Sequence, residues 1–203
     1  MAAVEPGKIR NVAVVGHRGT GKTSLVEAML FQSGQVNRLG TIDAASTVSD
    51  WDDEEHRRSM SLSASVCHAE WQGRKLNLVD APGDPGFQGD ALSALRVVEG
   101  AVFVLSGVMG VEVGTSRLWR RADDLGISRV CVVNMLDRER ADFFRTLEAM
   151  QSQLSERCVA VHLPIGSEHE LTGIVDLLHM TAYTSPEGNR EGEPTEIPAE
   201  LAD

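Results

Sequence analysis

Gly16-His17-Arg18-Gly19-Thr20-Gly21-Lys22-Thr23 stands directly after an apolar run, Val12-Ala13-Val14-Val15, and directly before apolar residues at helical spacing, Leu25, Val26, Met29 and Leu30. The octet has the form G-x-x-x-x-G-K-T. Its surroundings read strand, loop, helix, which is the context a phosphate-cradling loop requires. Glycines let such a loop turn its N–H groups inward, at the positive end of the helix that follows. In that arrangement Lys22 reaches the outer phosphates and the Thr23 hydroxyl holds Mg2+. Gly16, His17, Arg18, Gly19, Thr20, Gly21, Lys22, Thr23 and the adjoining Ser24 are the first candidate nucleotide contacts. The bland alternative is a glycine-rich surface turn.

Two later signals gain meaning from the first. Leu76-Asn77-Leu78-Val79-Asp80-Ala81-Pro82-Gly83 is an apolar strand that ends on a carboxylate and a tight turn. Alone it is a turn. Downstream of a phosphate loop it places Asp80 beside Mg2+ and the Gly83 amide within reach of the γ-phosphate. Asn134-Met135-Leu136-Asp137 follows a second apolar run, 129–133. An Asn and an Asp so spaced can read guanine, Asp137 accepting from the base and Asn134 bracing the loop. Asn and Asp also end strands for local turn reasons.

Composition narrows the class. The chain has 203 residues, 42% of them hydrophobic, and a net charge of −11. That balance opposes a broad basic footprint for nucleic acid, and no direct sequence-specific nucleic acid binding is expected. No apolar run approaches a membrane span, so no membrane partner is expected. The first ten residues have no signal-peptide character. Cys67, Cys131 and Cys158 are widely spaced, without a metal-ligand pattern, and fit a reducing cytoplasmic compartment.

Strand and helix patterns alternate through the body. Strands are predicted over 11–15, 61–70, 75–80, 101–105 and 129–133. Helices are predicted over 22–34, 89–98, 113–125 and 141–154. This predicts a doubly wound, mostly parallel α/β domain with its ligand crevice at the carboxyl ends of the strands. Residues 35–60 read as polar, acidic and irregular, too long for a simple connector. After residue 157 the texture changes: 158–165 has strand character and 173–182 is an apolar segment of open type. Residues 185–203 carry six acids against Arg190 alone, with Pro186, Pro194 and Pro198, and little fixed structure is expected there.

The three motifs in this order resemble translational GTPases, most closely elongation factor G and its paralogues. Lys8-Ile9-Arg10-Asn11-Val12, Leu136-Asp137-Arg138, Ala141-Asp142-Phe143, Leu163-Pro164-Ile165-Gly166 and Gly173-Ile174-Val175-Asp176-Leu177-Leu178 extend the resemblance over about 8–183. It implies a phosphate-loop NTPase fold, GTP/GDP and Mg2+ as ligands, and the ribosome as partner. It divides the chain into a flexible N-terminus (1–7), a GTP-binding core (8–157), the start of an insert subdomain (158–184) and an acidic tail (185–203). The metal set it implies is Thr23, Ser61 and Asp80.

The chain departs from the family pattern at informative places. Gly19 stands where the family usually has Asp. Arg58-Ser59-Met60-Ser61 replaces R-G-I-T of the first switch, so Ser61 keeps the hydroxyl and loses a methyl. Asp84 replaces the His that orients the attacking water, and Met135 replaces the Lys that covers the base. The resemblance therefore predicts a Mg2+-dependent GTP-binding domain with weakened or absent hydrolysis, Lys22 and Asp84 standing at the catalytic positions. A non-catalytic nucleotide-binding or ribosome-binding module is the alternative, and an ATP-using enzyme is opposed by Asn134 and Asp137.

The sequence ends before the family's last strand, its helix and its S-A-x loop. Strand 129–133 would then lie at a sheet edge, and an apolar edge invites pairing. The expectation is that 158–165 covers it, or that the chain self-associates. Trp51 reads as an aromatic pinning its loop, and Asp50, Asp52, Asp53, Glu54 and Glu55 as a solvated acidic run. Arg18 is expected to point to solvent, and His56, His162, His169 and His179 are given no role.

Overall fold

Strand β1 (Ile9–Gly16) lies at the centre of a five-stranded sheet, and its second half, Ala13–Gly16, is fully buried. The computed structural model describes residues 4–185 and 192–201. The strands flanking β1 are β3 (Arg74–Asp80) and β4 (Gly100–Ser106), both parallel to it. Antiparallel β2 (Ser65–Trp71) lies outside β3, and β5 (Ser128–Asn134) lies at the other edge. The order is β2-β3-β1-β4-β5. The β2–β3 turn is two residues long, Gln72 and Gly73, both at positive φ, which suits the twist of a hairpin.

Helices cover both faces. On one side Val26 and Leu30 of α1 (Lys22–Gln32) close on Val14, Leu78 and Val104, with Cys67 and Ala69 beside them. On the other, Phe103 meets Trp119 of α4 (Val113–Asp124) edge to face at 5.1 Å. The Arg129 guanidinium lies 4.3 Å from the centre of the Trp119 ring and pairs with Asp123 at 2.5 Å. A short α3 (Gln88–Ala94) precedes β4. This is the doubly wound α/β architecture the sequence predicts.

The chain divides into two units, Met1–Leu105 with Glu112–Asn134, and Ser106–Val111 with Met135–Asp203. In the second, α5 (Phe143–Gln153) is N-capped by Asp142, which accepts from the Arg145 N–H at 2.9 Å. A four-stranded antiparallel sheet follows, ordered β6 (His162–Ile165), β7 (Gly173–Asp176), β8 (Thr181–Thr184) and β9 (Glu193–Thr195). Its core is Ile165, Val175 and Ala182, packed with Leu163, Leu177, Ile197 and Leu201.

Three expectations are corrected here. The 158–165 segment does not add to β5 as a strand: its residues 162–165 form β6, which pairs antiparallel with β7 along its whole length, from His162 opposite Asp176 to Ile165 opposite Gly173. The acidic tail is not featureless, since β9 pairs with β8 and Ile197 and Leu201 reach the core of that sheet. Its residues 186–191, 202 and 203 lie outside the described residues, as do residues 1–3 of the N-terminus. Residues 35–60 are not irregular throughout, because 53–58 form a helix, α2 (Asp53–Arg58). Asp52 caps it, accepting from Glu54 N–H at 2.7 Å, and acids fill its first turn and bases its last.

Candidate functional site

The phosphate loop begins where β1 runs out of room. Gly16 sits at φ 148°, and a Cβ there would strike the Val104 carbonyl of the neighbouring strand. The loop closes on Gly21, the N-cap of α1, which brings no side chain to the first-turn N–H groups. Those groups are therefore available to an anion. Lys22 is buried and donates to the His17 carbonyl at 2.8 Å. Burial lowers its pKa to about 8, against the opposing pull of Asp80 and Asp50. Thr20 Oγ1 donates to the same carbonyl at 3.0 Å, and Asn134 Nδ2 donates to Thr20 O at 2.9 Å. Asn134 thus braces the loop from the end of β5.

Beneath Lys22 lies a connected set of oxygen groups. Thr23 Oγ1 donates to Asp80 Oδ2 at 2.8 Å and lies 3.1 Å from Ser61 Oγ. Ser49 Oγ donates to the same Asp80 oxygen at 2.9 Å, and Ser61 Oγ donates to Asp50 Oδ1 at 2.6 Å. Asp80 is 1% exposed, and its Oδ1 has no protein partner. Burial, outweighing the Thr23 and Ser49 hydrogen bonds and nearby Lys22, raises its pKa to about 6. Burial also raises Asp50. Among the described residues no group of three or more His, Cys, Asp and Glu side chains is arranged to hold a metal. An oxygen set of hydroxyls and carboxylates with a free buried carboxylate oxygen is instead what a hard, water-retaining cation such as Mg2+ uses.

Residues 81–90, which the family resemblance implies form a second switch, begin against this centre. A Cβ on Gly83 would collide with Lys22 Nζ and with the loop backbone at His17 and Arg18, so only glycine fits there. Asp84 follows, and its Oδ1 accepts from Gly86 N–H at 2.8 Å, capping the turn Pro85–Phe87. Its Oδ2 lies 3.5 Å from Arg18 Nη1. Arg18 is therefore paired with Asp84 rather than simply directed to solvent. A cavity of about 110 Å³ opens here, lined by Lys22, Thr23, Asp50, Ser61, Gly83 and Asp84. Replacing Gly83 with Ala should push this switch off the phosphate loop, at a cost of about 1–3 kcal/mol, as overpacking does. Thermal unfolding and accelerated amide exchange at 81–87 would register it.

With this geometry in place, the comparisons are decisive about family. The sequence matches the elongation factor Tu GTP binding domain family over residues 7–187. The chain belongs to this family. Among curated relatives of this GTP-binding domain, elongation factor G of Petrotoga mobilis is 36% identical over 197 residues, covering 97% of the chain and 28% of that protein. Elongation factor G of Neorickettsia sennetsu is 36% identical over 204 residues, covering 100% of the chain and 30% of that protein. A crystal structure from Thermus thermophilus superposes with a TM-score of 0.88 at 34% identity, covering 95% of the chain and 29% of that structure. The chain spans under a third of the length of these relatives, and it is elongation-factor-G-like over nearly all of its own.

The remaining expected contacts of the GTP-binding domain distribute as follows. Met135 has a left-handed backbone, φ 60°, and its carbonyl accepts from Arg138 N–H at 3.3 Å, making the turn that carries Asp137. Ser24 follows Thr23 on the first turn of α1, and Gly19 is at φ 77°. His17 Nδ1 lies 3.3 Å from Glu112 Oε2. No helix among the described residues is long and apolar enough to cross a membrane.

Within the first switch, Ser61 lies where the sequence places it, but its acids and Trp51 do not. Asp50 and Glu55 are not solvated: they are 3% and 2% exposed. Trp51 does not pin its loop by burial, being 70% exposed. His56, given no role, has Nε2 2.7 Å from the Asp50 carbonyl. The available signal was the capping box, Asp52 with Glu55 three residues on, which marks a helix start inside the acidic run.

Proposed function

We propose that the chain is a Mg2+-dependent guanine-nucleotide switch of the elongation factor G kind that acts on the ribosome in the cytoplasm and hydrolyses GTP slowly. The observation that carries this reading is the oxygen network of Thr23, Ser61 and Asp80 under Lys22, with Asp80 Oδ1 free. Thr23, Ser61 and Asp80 would hold Mg2+, which when bound supplies positive charge against the phosphates. Lys22 would contact the outer phosphates, and the Gly83 amide would sense the last of them. Gly16 to Ser24 would wrap the phosphates, while Asn134 and Asp137 would select guanine. Titration with GTP, GDP and ATP in Mg2+ tests the assignment. Preference for the guanine nucleotides is expected, and equal affinity for ATP overturns it.

Met135 supports weak binding. The Lys that the resemblance puts there would add a charge-assisted hydrogen bond, worth roughly 1.5–3 kcal/mol. Met135→Lys should therefore tighten GDP by about 10- to 100-fold in titration calorimetry. A second reading, a nucleotide-holding or ribosome-binding module without useful catalysis, is favoured by Asp84 at the water-orienting position. Single-turnover hydrolysis with ribosomes separates the two.

A further inference from the structure

Glu55 is a buried carboxylate on a six-residue helix, and nothing in the nucleotide reading uses it. Its oxygens accept four backbone N–H groups. Oε2 takes Trp51 at 3.1 Å and Asp52 at 3.2 Å, and Oε1 takes Leu62 at 2.8 Å and Ser63 at 3.2 Å. A capping box requires only the Asp52 contact. The other three draw together two stretches of the loop, the one that follows Asp50 and the one that follows Ser61. All four lone-pair directions of the carboxylate are filled.

A second buried glutamate fixes the upstream end. Glu27 of α1 is 1% exposed, and its Oε1 accepts from Val48 N–H at 2.5 Å. Ser49 and Asp50 follow at once, Ser49 reaching Asp80 and Asp50 reaching Ser61. Ser65 Oγ then donates to the Ser49 carbonyl at 2.6 Å, tying this stretch to the start of β2. The first switch is thus closed into a small ring whose staples are protein carboxylates.

We propose that Glu55 is a positioning residue: by gathering the N–H groups of 51, 52, 62 and 63 it delivers Ser61 and Asp50 together to Thr23 and Asp80, with Glu27 anchoring the ring to α1. The role in metal and nucleotide binding rests on the function proposed above; the clasp itself does not. A glutamine at this position keeps the shape but turns one oxygen into a donor. Two N–H groups would then face an NH2, and that side of the ring opens.

The test uses the 203-residue chain with two readouts. Amide exchange is measured first without nucleotide, in the native chain, in Glu55→Gln, in the shortened carboxylate Glu55→Asp, and in Glu54→Gln, a control on the same helix. Glu55→Gln is expected to speed exchange at 51, 52, 62 and 63 by at least about tenfold while β1 and β3 stay protected. Glu55→Asp should fall between it and the native chain, and Glu54→Gln should not differ from native. GTP binding is then measured with Mg2+ and with EDTA. Glu55→Gln and Ser61→Ala should each cut the gain from Mg2+ by about tenfold, and the double variant should lose no more than either. Unchanged exchange at 62 and 63 overturns the clasp. A Glu55→Gln chain that keeps the Mg2+ gain that Ser61→Ala loses overturns the positioning role. A native chain with no Mg2+ gain at all overturns the positioning role together with the proposed function, while the exchange result still decides the clasp.

Discussion

Changing Asp84 to His should raise ribosome-stimulated single-turnover GTP hydrolysis, in a full-length context, by about 100-fold or more. Positioned proton-transfer groups contribute on the order of 10²–10⁴ to such steps. Phosphoryl transfer otherwise depends on placement and on neutralising charge. A carboxylate at this position does neither well. It would repel a bound phosphate, and in the structure both its oxygens are already engaged, Oδ1 by Gly86 N–H and Oδ2 beside Arg18. Histidine would release the second switch from Arg18 and lose the turn cap, a loss of about 1 kcal/mol by analogy with helix caps. The variant should therefore be slightly less stable and much faster. Equal single-turnover rates for the natural chain and the His variant would show that Asp84 is competent as it stands.

The second large effect has opposite signs for binding and for stability. Asp80→Asn should weaken Mg2+-dependent nucleotide binding by about 10- to 100-fold, the usual scale for removing a group that orients a metal's shell. The same change should raise stability without ligand. Asp80 has a folded pKa of about 6 against an ordinary 3.8, so the folded chain keeps the proton across the window where the unfolded chain has lost it. Stability from this group is fullest below 3.8 and falls as pH rises toward 6. At neutral pH the deficit is on the order of 3 kcal/mol for a shift of this size. Asn resembles the protonated form and should recover much of it. Lys22 acts in another window. Its pKa is lowered to about 8 from 10.5, so the unfolded chain holds the extra proton between those values and stability climbs with pH there. Denaturant titrations across pH should show the acid-side slope in the native chain and a clear reduction of it in Asp80→Asn, the remainder being that of Asp50, which burial also raises. A slope that survives the substitution undiminished belongs to another group.

The alternating periods made the sheet and its covering helices legible, because β1, β4 and β5 are short apolar runs and α4 has one strongly apolar face. The phosphate loop was legible because its residues are contiguous, and Asp80 because it closes a strand. The acids of the first switch were not. They are adjacent in sequence, yet Asp52 and Asp53 face solvent while Asp50 and Glu55 are buried. What separates them is where the donors come from: Asp50 and Glu55 accept from residues across the loop, whereas Asp52 accepts from the first turn of its own helix. For Glu55 those donors come from 51, 52, 62 and 63, and for Asp50 from Ser61. Composition sees an acidic loop, whereas hydrogen-bond satisfaction decides which acids go inside. The fate of 158–165 was illegible for a similar reason. An apolar strand records that it needs a neighbour, and the better-matched neighbour, β7, was itself undecided in the sequence.

One detail of the oxygen network can be put as a count of hydrogens. Thr23, Ser49 and Ser61 own one hydroxyl hydrogen each, and the network asks for four contacts: Thr23 to Asp80, Ser49 to Asp80, Ser61 to Asp50, and Thr23 to Ser61. With both carboxylates ionised, the first three contacts use every hydrogen. The Thr23 and Ser61 oxygens then meet at 3.1 Å with lone pairs alone between them. A proton on Asp50 would mend this, since Asp50 could donate to Ser61 and free its hydrogen for Thr23. The Mg2+ that Thr23, Ser61 and Asp80 would hold under the function proposed above would supply positive charge against the same lone pairs. With both carboxylates ionised, the junction between phosphate loop and first switch is one hydrogen short.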